Sequence, residues 1–140
     1  MISFNFEKVA ELDNQKLETL KVWLEKSVIE EGFKVDSINF IFCKDDFLLE
    51  LNQKYLNHDT LTDVIGFDYS VGKKLQGDIY ISLDRVRENA KIFEVEFDKE
   101  LSRVMIHGLL HFCGWTDDSP DEKESMRRQE NIYLEARLHN

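Results

Sequence analysis

The sequence predicts an α+β domain, close to the α/β class, in which a small four-stranded mixed sheet packs with about five helices. Four short segments alternate apolar and polar residues, as half-buried strands do, and five longer segments space apolar residues three or four apart, as amphipathic helices do. The 140 residues include six glycines and one proline, without a repeat or a low-complexity linker. Residues 1–140 are therefore predicted to form one domain.

The first half of the chain is predicted to contribute two strands and two helices. A short strand is expected around residues 4–6, a helix over 14–29 and a strand over 38–43, from the spacing of their apolar residues. A second helix follows. Asp45 or Asp46 is predicted to cap it, because a carboxylate at the N-cap accepts a hydrogen bond from a free backbone N–H.

The second half is predicted to contribute two strands and three helices. The strands are expected over 62–69 and 78–82, and the helices over 83–93, 98–113 and about 120–138. The helix over 98–113 is apolar on nearly all sides after Val104, which is typical of a helix at the centre of a core. Ser119 is predicted to cap the last helix, with Pro120 at its first position.

Composition excludes several classes of protein. Hydrophobic residues make up 42% of the chain and charged residues 33%, which is typical of globular proteins. No apolar run approaches the roughly 20 residues of a membrane helix, and the first residues lack the pattern of a secretory signal. Cys43 and Cys113 lie in apolar segments and are predicted to be free thiols. We therefore expect a cytoplasmic protein that does not bind a membrane.

The net charge bears on nucleic-acid binding. Eighteen basic residues against 28 acidic residues give a net charge of −10. Sequence-independent affinity for nucleic acid comes from lysines and arginines that replace counterions along the phosphates. Taken alone, the charge argues mildly against RNA or DNA as the substrate, and only a local basic groove would reverse that argument.

The segment from His107 to Asp117 contains the strongest functional pattern. Two histidines four residues apart on a helix lie about 40° apart around its axis, so the rings of His107 and His111 can converge on one ion. Gly114 can end the helix in a left-handed turn, and the chain can then bring Asp117 back to the same point. Two imidazoles and a carboxylate, with one position left open, are typical of a catalytic metal site.

Other interpretations of this segment stay open at the level of sequence. The two histidines could be hydrogen-bonded core residues without a metal. Asp118 or Asp121 could serve as the third ligand in place of Asp117. Cys113 lies about 200° around the helix from His111, so its side chain is predicted to face away from the site and to pack in the core.

The same spacing matches the metalloprotease signature H-E-x-x-H-x-x-G-x-x-H at all but two positions. In those proteases the glutamate after the first histidine is the general base. Gly108 occupies that position here and cannot transfer protons. A metalloprotease is therefore the weakest of the functional hypotheses.

The segment H-G-L-L-H-F-C-G-W over 107–115 resembles the pattern H-G-x-L-H-L-x-G-Y-D-H of the YbeY family of metal-dependent endoribonucleases and rRNA maturation factors. Three upstream blocks resemble the family's other blocks in order and spacing: L-N-Q-K-Y over 51–55, T-D-V-I-G-F over 62–67 and G-D-I-Y-I-S over 77–82. The resemblance covers nearly the whole chain. It implies a single α/β domain that holds one divalent metal ion, usually zinc, in a cleft.

Carried over by position, the resemblance implies that His107 and His111 are the first two metal ligands, and Asp117 stands where the family has a third histidine. A carboxylate is a harder ligand, so zinc stays the favoured metal while manganese and nickel become harder to exclude. The chain departs from the family at two further positions. Leu56 replaces an arginine that is thought to matter for activity, and Gly66 replaces a common serine.

Three side chains are candidate catalytic residues. His58 lies two residues after Leu56 and could reach the cleft in place of the arginine, or be a solvated loop residue. Asp63 and Asp78 lie in strand-edge blocks that face the expected cleft; Asp63 could instead cap a turn, and Asp78 could hydrogen-bond a ligand histidine. Candidate phosphate contacts are Lys73, Lys74, Arg85 and Arg87.

The resemblance implies a metal-dependent endoribonuclease that acts on single-stranded RNA in rRNA processing, notably at the 3′ end of the small-subunit rRNA, and in ribosome biogenesis and quality control. The expected partners are rRNA and the small ribosomal subunit. The alternative is a non-catalytic ribosome assembly factor with a structural metal, which binds ribosomal proteins or an assembly GTPase. The acidic charge suits basic ribosomal proteins better than bare RNA.

Overall fold

The computed structural model describes residues 1–57 and 62–138, and this part of the chain forms the predicted four-stranded mixed sheet with five helices. The elements are β1 (Ile2–Phe6), α1 (Asn14–Glu30), β2 (Lys34–Cys43), α2 (Asp45–Leu56), β3 (Val64–Asp68), β4 (Lys74–Ser82), α3 (Leu83–Ile92), α4 (Phe97–Phe112) and α5 (Pro120–Leu138). Within the two described ranges, no helix is long and apolar enough to cross a bilayer. Cys43 and Cys113 are free thiols, as predicted.

The strands lie in the order β1-β2-β4-β3, which places β3 at one edge of the sheet. β2 pairs with β1 and β4 in parallel, whereas β3 runs antiparallel to β4. β2 and β4 begin at Lys34 and Lys74, earlier than predicted, because these two residues pair with each other in register. The first residues of β2 are mostly polar and exposed, so the apolar pattern did not reveal them, whereas at the start of β4 only Leu75 is a buried apolar residue.

The sheet carries helices on both faces. On one face, the main core joins residues of β2 and β4, such as Phe40 and Ile79, to α1 and α4. On the other face, α2 covers a smaller core around Leu48 and Ile65. α4 contacts β3, β4, α1, α3 and α5, and its Leu101 is fully buried. The predicted central position of the histidine-bearing helix is therefore confirmed.

The predicted cap of α2 is wrong. The helix begins at Asp45, its N-cap is Lys44, and the Lys44 side chain makes no capping hydrogen bond. The Asp45 carboxylate instead accepts hydrogen bonds from the Ser82 hydroxyl (2.7 Å) and from Nε of Arg85 (3.1 Å). These bonds connect α2 to the junction of β4 and α3. Asp46 lies in the first turn, where its negative charge is favourable to the helix dipole.

The predicted cap of α5 is confirmed. The Ser119 hydroxyl accepts a hydrogen bond from the backbone N–H of Glu122 (3.1 Å), and Pro120 is the first helical residue. The Glu122 carboxylate accepts a second bond from the backbone N–H of Asp118 (2.9 Å). These bonds fix the start of α5 immediately after the segment that carries Asp117.

Candidate metal centre

The two histidines of α4 face each other across one turn of the helix. Nε2 of His107 and Nε2 of His111 are 3.0 Å apart. Gly114 follows the helix with φ +100°, so the chain reverses direction there as predicted. The reversal brings Oδ2 of Asp117 to 3.4 Å from Nε2 of His107 and 3.5 Å from Nε2 of His111. The predicted convergence of these three side chains is confirmed.

Hydrogen bonds at the far side of each ring fix the orientation of both histidines. Nδ1 of His107 lies 2.6 Å from Oε2 of Glu130, and Nδ1 of His111 lies 3.0 Å from the carbonyl oxygen of Trp115. An ionised carboxylate and a backbone carbonyl only accept hydrogen bonds, so each Nδ1 carries the donated proton. In the neutral rings, both Nε2 atoms are therefore left with lone pairs that point at each other.

This donor set fits a divalent metal ion. Two nitrogen lone pairs and a carboxylate oxygen that face one another repel unless a cation lies among them. A tetrahedral zinc ion with bonds of about 2.0–2.2 Å separates its ligand atoms by roughly 3.3–3.6 Å. The three separations here are 3.0, 3.4 and 3.5 Å. His107, His111 and Asp117 thus form a group that could hold a metal, with part of the coordination sphere open to substrate.

Glu130 of α5 is the partner of His107 that the sequence analysis missed. It is only 3% exposed, and its other oxygen accepts a hydrogen bond from Nη1 of Arg103 (3.0 Å). One signal was available: Glu130 lies on the same helical face as the buried Met126, Tyr133 and Leu134. A carboxylate at such a position needs a partner, although the sequence does not reveal which one.

Burial and neighbouring charges shift the pKa values of two groups in the site. Burial lowers the pKa of His107, but the hydrogen bond to Glu130 and the nearby negative charges outweigh it and raise the pKa above its ordinary value. Burial raises the pKa of the Asp63 carboxyl group, and this effect outweighs the charge of His107, which lowers the pKa. The backbone N–H of Ser82 donates to the Asp63 carbonyl (3.0 Å) and fixes the chain at this point. A metal that binds Nε2 of His107 therefore competes with a proton for that nitrogen.

Two hollows meet beside His107 and Asp117. The first, with a volume of about 430 Å³, follows the edge strand β3 past Gly66 and Asp68. The second, about 320 Å³, lies between α3, α4 and α5 and includes the cationic side chains of Arg103, Lys123 and Arg127. Asp63, His107 and Asp117 line both hollows. The candidate metal site is therefore accessible from both hollows.

The structure places the three predicted catalytic candidates differently. Asp63 lies in the cleft beside His107, as expected. The expectation that Asp78 faces the cleft is wrong, because Asp78 lies on the opposite face of the sheet from Ile79 and accepts a hydrogen bond from Nδ2 of Asn39 (3.1 Å). His58 lies outside the described residues.

The basic residues of the second hollow differ from the predicted phosphate contacts. Arg85 is paired with Asp45, and Lys73 lies over the ring of Phe33 at 4.2 Å from the ring centroid. Neither they nor Lys74 and Arg87 line the two hollows. Leu56, where the family has an arginine, ends α2 with 45% of its surface exposed.

Gly108 and Cys113 have structural roles. A Cβ atom at Gly108 would lie 3.2 Å from Cγ2 of Ile79, so glycine lets α4 approach β4 closely beside the site. Cys113 packs against the main core, as predicted, and burial raises the pKa of its thiol to about 12. The thiol is therefore protonated near neutral pH and is a poor metal ligand there.

The glycine at position 66 is explained by Phe112, which stands where the family pattern has leucine. A Cβ atom at Gly66 would lie 2.9 Å from Cε1 of Phe112, and one at Gly77 would lie 2.8 Å from Cε2 of the same ring. The ring is 8% exposed and is held between the two glycines. The larger ring thus fills the space that a serine side chain at position 66 would need.

Replacing Gly66 with serine is expected to destabilise the protein by about 1–3 kcal/mol, because the new side chain overpacks the Phe112 ring. Phe112→Leu should relieve the clash. In a protein that carries Phe112→Leu, the Gly66→Ser substitution should therefore lower the free energy of unfolding by less than about 0.5 kcal/mol. Urea denaturation of the two single variants and the double variant measures both costs. A serine variant as stable as the wild type would contradict this explanation.

Comparisons with known proteins identify the family of this chain. A family model described as Endoribonuclease YbeY matches residues 2–137. A protein of Flavobacterium psychrophilum with that name is 53% identical over 135 residues, which are 96% of this chain and 94% of the relative. Another from Phocaeicola vulgatus is 48% identical over 134 residues and 96% of each chain. The solution structure of a Thermotoga maritima protein is similar with a TM-score of 0.71 and 33% identity, covering 99% of this chain and 90% of that one. The chain therefore belongs to the endoribonuclease YbeY family.

Proposed function

We propose that this protein is a metal-dependent endoribonuclease that cleaves single-stranded RNA in rRNA processing, with the 3′ end of the small-subunit rRNA as its main target. The observation that carries the proposal is the convergence of two imidazole nitrogens and one carboxylate oxygen, 3.0–3.5 Å apart, where two hollows meet. Family membership indicates RNA as the polymer. The proposed setting is the cytoplasm, in ribosome biogenesis and quality control.

The proposed metal is one divalent ion, with zinc favoured, held by His107, His111 and Asp117. When bound, such an ion would polarise a phosphoryl oxygen as a Lewis acid and lower the pKa of water. Glu130 and the Trp115 carbonyl keep the two imidazoles in the tautomer that a metal needs.

Asp63 is the proposed proton acceptor. It lines both hollows together with His107 and Asp117, so it lies beside any phosphodiester that reaches the ligand atoms. Burial raises the pKa of its carboxyl group, which brings it closer to the range that suits a general base near neutral pH. Gly108, which replaces the protease glutamate, supplies no base. Accordingly, we expect no peptide cleavage.

Lys123 and Arg127 are the proposed phosphate contacts. They lie four residues apart on α5, so they project from the same side of the helix, and both line the hollow that contains His107 and Asp117. The chain as a whole carries a net charge of −10, so RNA needs local cations at the site. In this proposal they supply the cationic contacts that the missing arginine at Leu56 would otherwise provide.

Replacing Lys123 and Arg127 with alanine is expected to raise the KM for a short single-stranded RNA about 3- to 10-fold at low salt, with kcat nearly unchanged. The difference in KM between the double variant and the wild type should shrink as salt increases, because a protein without these two cations releases fewer counterions when it binds RNA. Arg128→Ala is the matched control, since Arg128 is exposed on the same helix and pairs with Glu124 at 3.4 Å. A double variant that behaves like this control at low salt would exclude the two residues as phosphate contacts.

A second candidate function is a ribosome assembly factor whose metal is structural. The acidic net charge favours it, because basic ribosomal proteins or an assembly GTPase with a basic surface would be attracted more strongly than bare RNA. In this case the protein binds the small subunit without cleaving its rRNA.

Mapping the 3′ end of the small-subunit rRNA in cells that lack the protein separates the two functions. Complementation with an Asp63→Asn variant should leave the 3′ end unprocessed if the protein is the nuclease, provided that the variant still binds the small subunit. Full restoration of the mature 3′ end by the Asp63→Asn variant would indicate the assembly role.

A further inference from the structure

Glu31, the residue after α1, joins three elements around the candidate metal centre. Its Oε1 accepts a hydrogen bond from the indole Nε1–H of Trp115 (2.7 Å). Its Oε2 accepts bonds from Nε2 of Gln129 (2.7 Å) and from the hydroxyl of Tyr133. Trp115 lies in the segment between α4 and α5, and the other two donors lie on α5. One half-buried carboxylate therefore fixes the segment 113–119 against both α1 and α5.

Trp115 connects this carboxylate to the ligands. Its backbone carbonyl accepts the hydrogen bond from Nδ1 of His111 (3.0 Å), and its backbone N–H donates to the carbonyl of Leu110 (3.0 Å). Asp117 follows two residues later. Gly114 and Thr116, on either side of Trp115, are exposed, whereas the Trp115 side chain packs against the main core and donates to Glu31. A shift of Trp115 would move the carbonyl that orients His111 and the backbone that carries Asp117.

We propose that Glu31 is a positioning residue for the metal centre, which acts through the Trp115 indole to hold His111 and Asp117 in binding geometry. The inference rests on the metal site of the proposed function, although it does not depend on RNA as the substrate. A residue 84 positions upstream of Trp115 thereby controls metal affinity without touching the ion.

The chemistry of the contact favours glutamate over glutamine. A carboxylate offers acceptors on both oxygens, and all three groups that contact it can donate. A glutamine at this position can still accept from the Trp115 indole with its carbonyl oxygen, but its amide would meet the amide of Gln129. Glu31→Gln should therefore keep the connection to the ligands and lose part of the connection to α5.

The test measures metal affinity in the absence of RNA. Zn²⁺ binding to the full chain is measured by competition with a chromophoric chelator, and Co²⁺ binding by its visible absorption spectrum. Glu31→Ala is expected to weaken Zn²⁺ binding about 10- to 100-fold, as the loss of other partners that orient metal ligands does. Its Co²⁺ spectrum should change. Glu31→Gln should lose clearly less affinity, and Trp115→Phe, which keeps an aromatic ring but removes the indole N–H together with the smaller ring that carries it, should weaken binding several-fold.

Glu30→Ala is the matched control, because Glu30 is the exposed neighbouring carboxylate on α1. A Glu31→Ala variant that binds Zn²⁺ as tightly as this control, with the wild-type Co²⁺ spectrum, would show that Glu31 only stabilises the fold. If Glu31→Ala does not fold, unchanged affinity in both Glu31→Gln and Trp115→Phe overturns the inference equally. Wild-type protein that binds neither ion at one equivalent would overturn the metal site itself, and the inference with it.

Discussion

Replacing Asp117 with alanine is expected to weaken binding of a divalent ion on the order of 100-fold or more, and to reduce RNA cleavage by a similar factor. Loss of a partner that only orients a ligand already costs 10- to 100-fold, and Asp117 is itself a proposed ligand. Its Oδ2 atom lies 3.4 and 3.5 Å from the two histidine nitrogens. Chelator competition measures the affinity, and a fluorescent single-stranded RNA measures cleavage.

The metal-free Asp117→Ala protein should retain its stability within about 1 kcal/mol, since the side chain is one-third exposed. Asp118→Ala is the matched control, because Asp118 is the exposed neighbour that sequence spacing left as an alternative third ligand. Equal losses of metal affinity in the Asp117→Ala and Asp118→Ala variants, or a loss of affinity confined to Asp118→Ala, would contradict the assignment of Asp117 as the third ligand.

Replacing Glu130 with alanine is expected to affect both stability and metal binding. Glu130 is 3% exposed and accepts hydrogen bonds from His107 and from Arg103, whose side chain is 14% exposed. Removing one partner of a buried ion pair costs about 3–5 kcal/mol, because the remaining charge is left uncompensated. The ring of His107 also loses the acceptor that fixes its tautomer, so metal affinity should fall about 10- to 100-fold.

Urea denaturation of the metal-free protein and Zn²⁺ competition measure the two effects separately. Glu130→Gln keeps the shape of the side chain and should lose less stability than Glu130→Ala. Glu124→Ala is the control on the same helix, because Glu124 has a side chain that is 68% exposed. A Glu130→Ala protein with the affinity and stability of this control would show that the bonds to His107 and Arg103 contribute little.

Local spacing was sufficient to predict that His107, His111 and Asp117 converge, although it left Asp118 and Asp121 as alternatives to Asp117. The two histidines, the turn at Gly114 and Asp117 all lie within residues 107–117, where helix geometry determines which side chains converge. The central position of α4 followed in the same way from its nearly continuous apolar surface. Family resemblance added the expected polymer, which the spacing alone did not contain.

The residues that support the triad could not be predicted from local spacing. Glu130 is 23 residues from His107 and Glu31 is 84 residues from Trp115. Each contact depends on how α1 and α5 pack against α4, which no window of sequence specifies. Only the burial of a carboxylate in the apolar face of α5 indicated that Glu130 had a partner.

Two predictions failed for identifiable physical reasons. Asp78 alternates with Ile79 on β4, so burial of Ile79 under α4 places Asp78 on the opposite face of the sheet. The strand alternation contained this information. Asp45 is a favourable N-cap by residue type, but its carboxylate is used by Ser82 and Arg85 of the β4–α3 junction. Tertiary contacts outweighed the local preference there.

The proposed function requires that RNA cleavage depend on one divalent ion held by His107, His111 and Asp117. The decisive experiment is to titrate metal-stripped protein with Zn²⁺ and to measure single-stranded RNA cleavage in the same samples. We expect no cleavage before Zn²⁺ is added, a linear rise as it is added and a plateau at one equivalent. Full cleavage by the stripped protein, or cleavage that does not respond to Zn²⁺ or another divalent ion up to one equivalent, would contradict it.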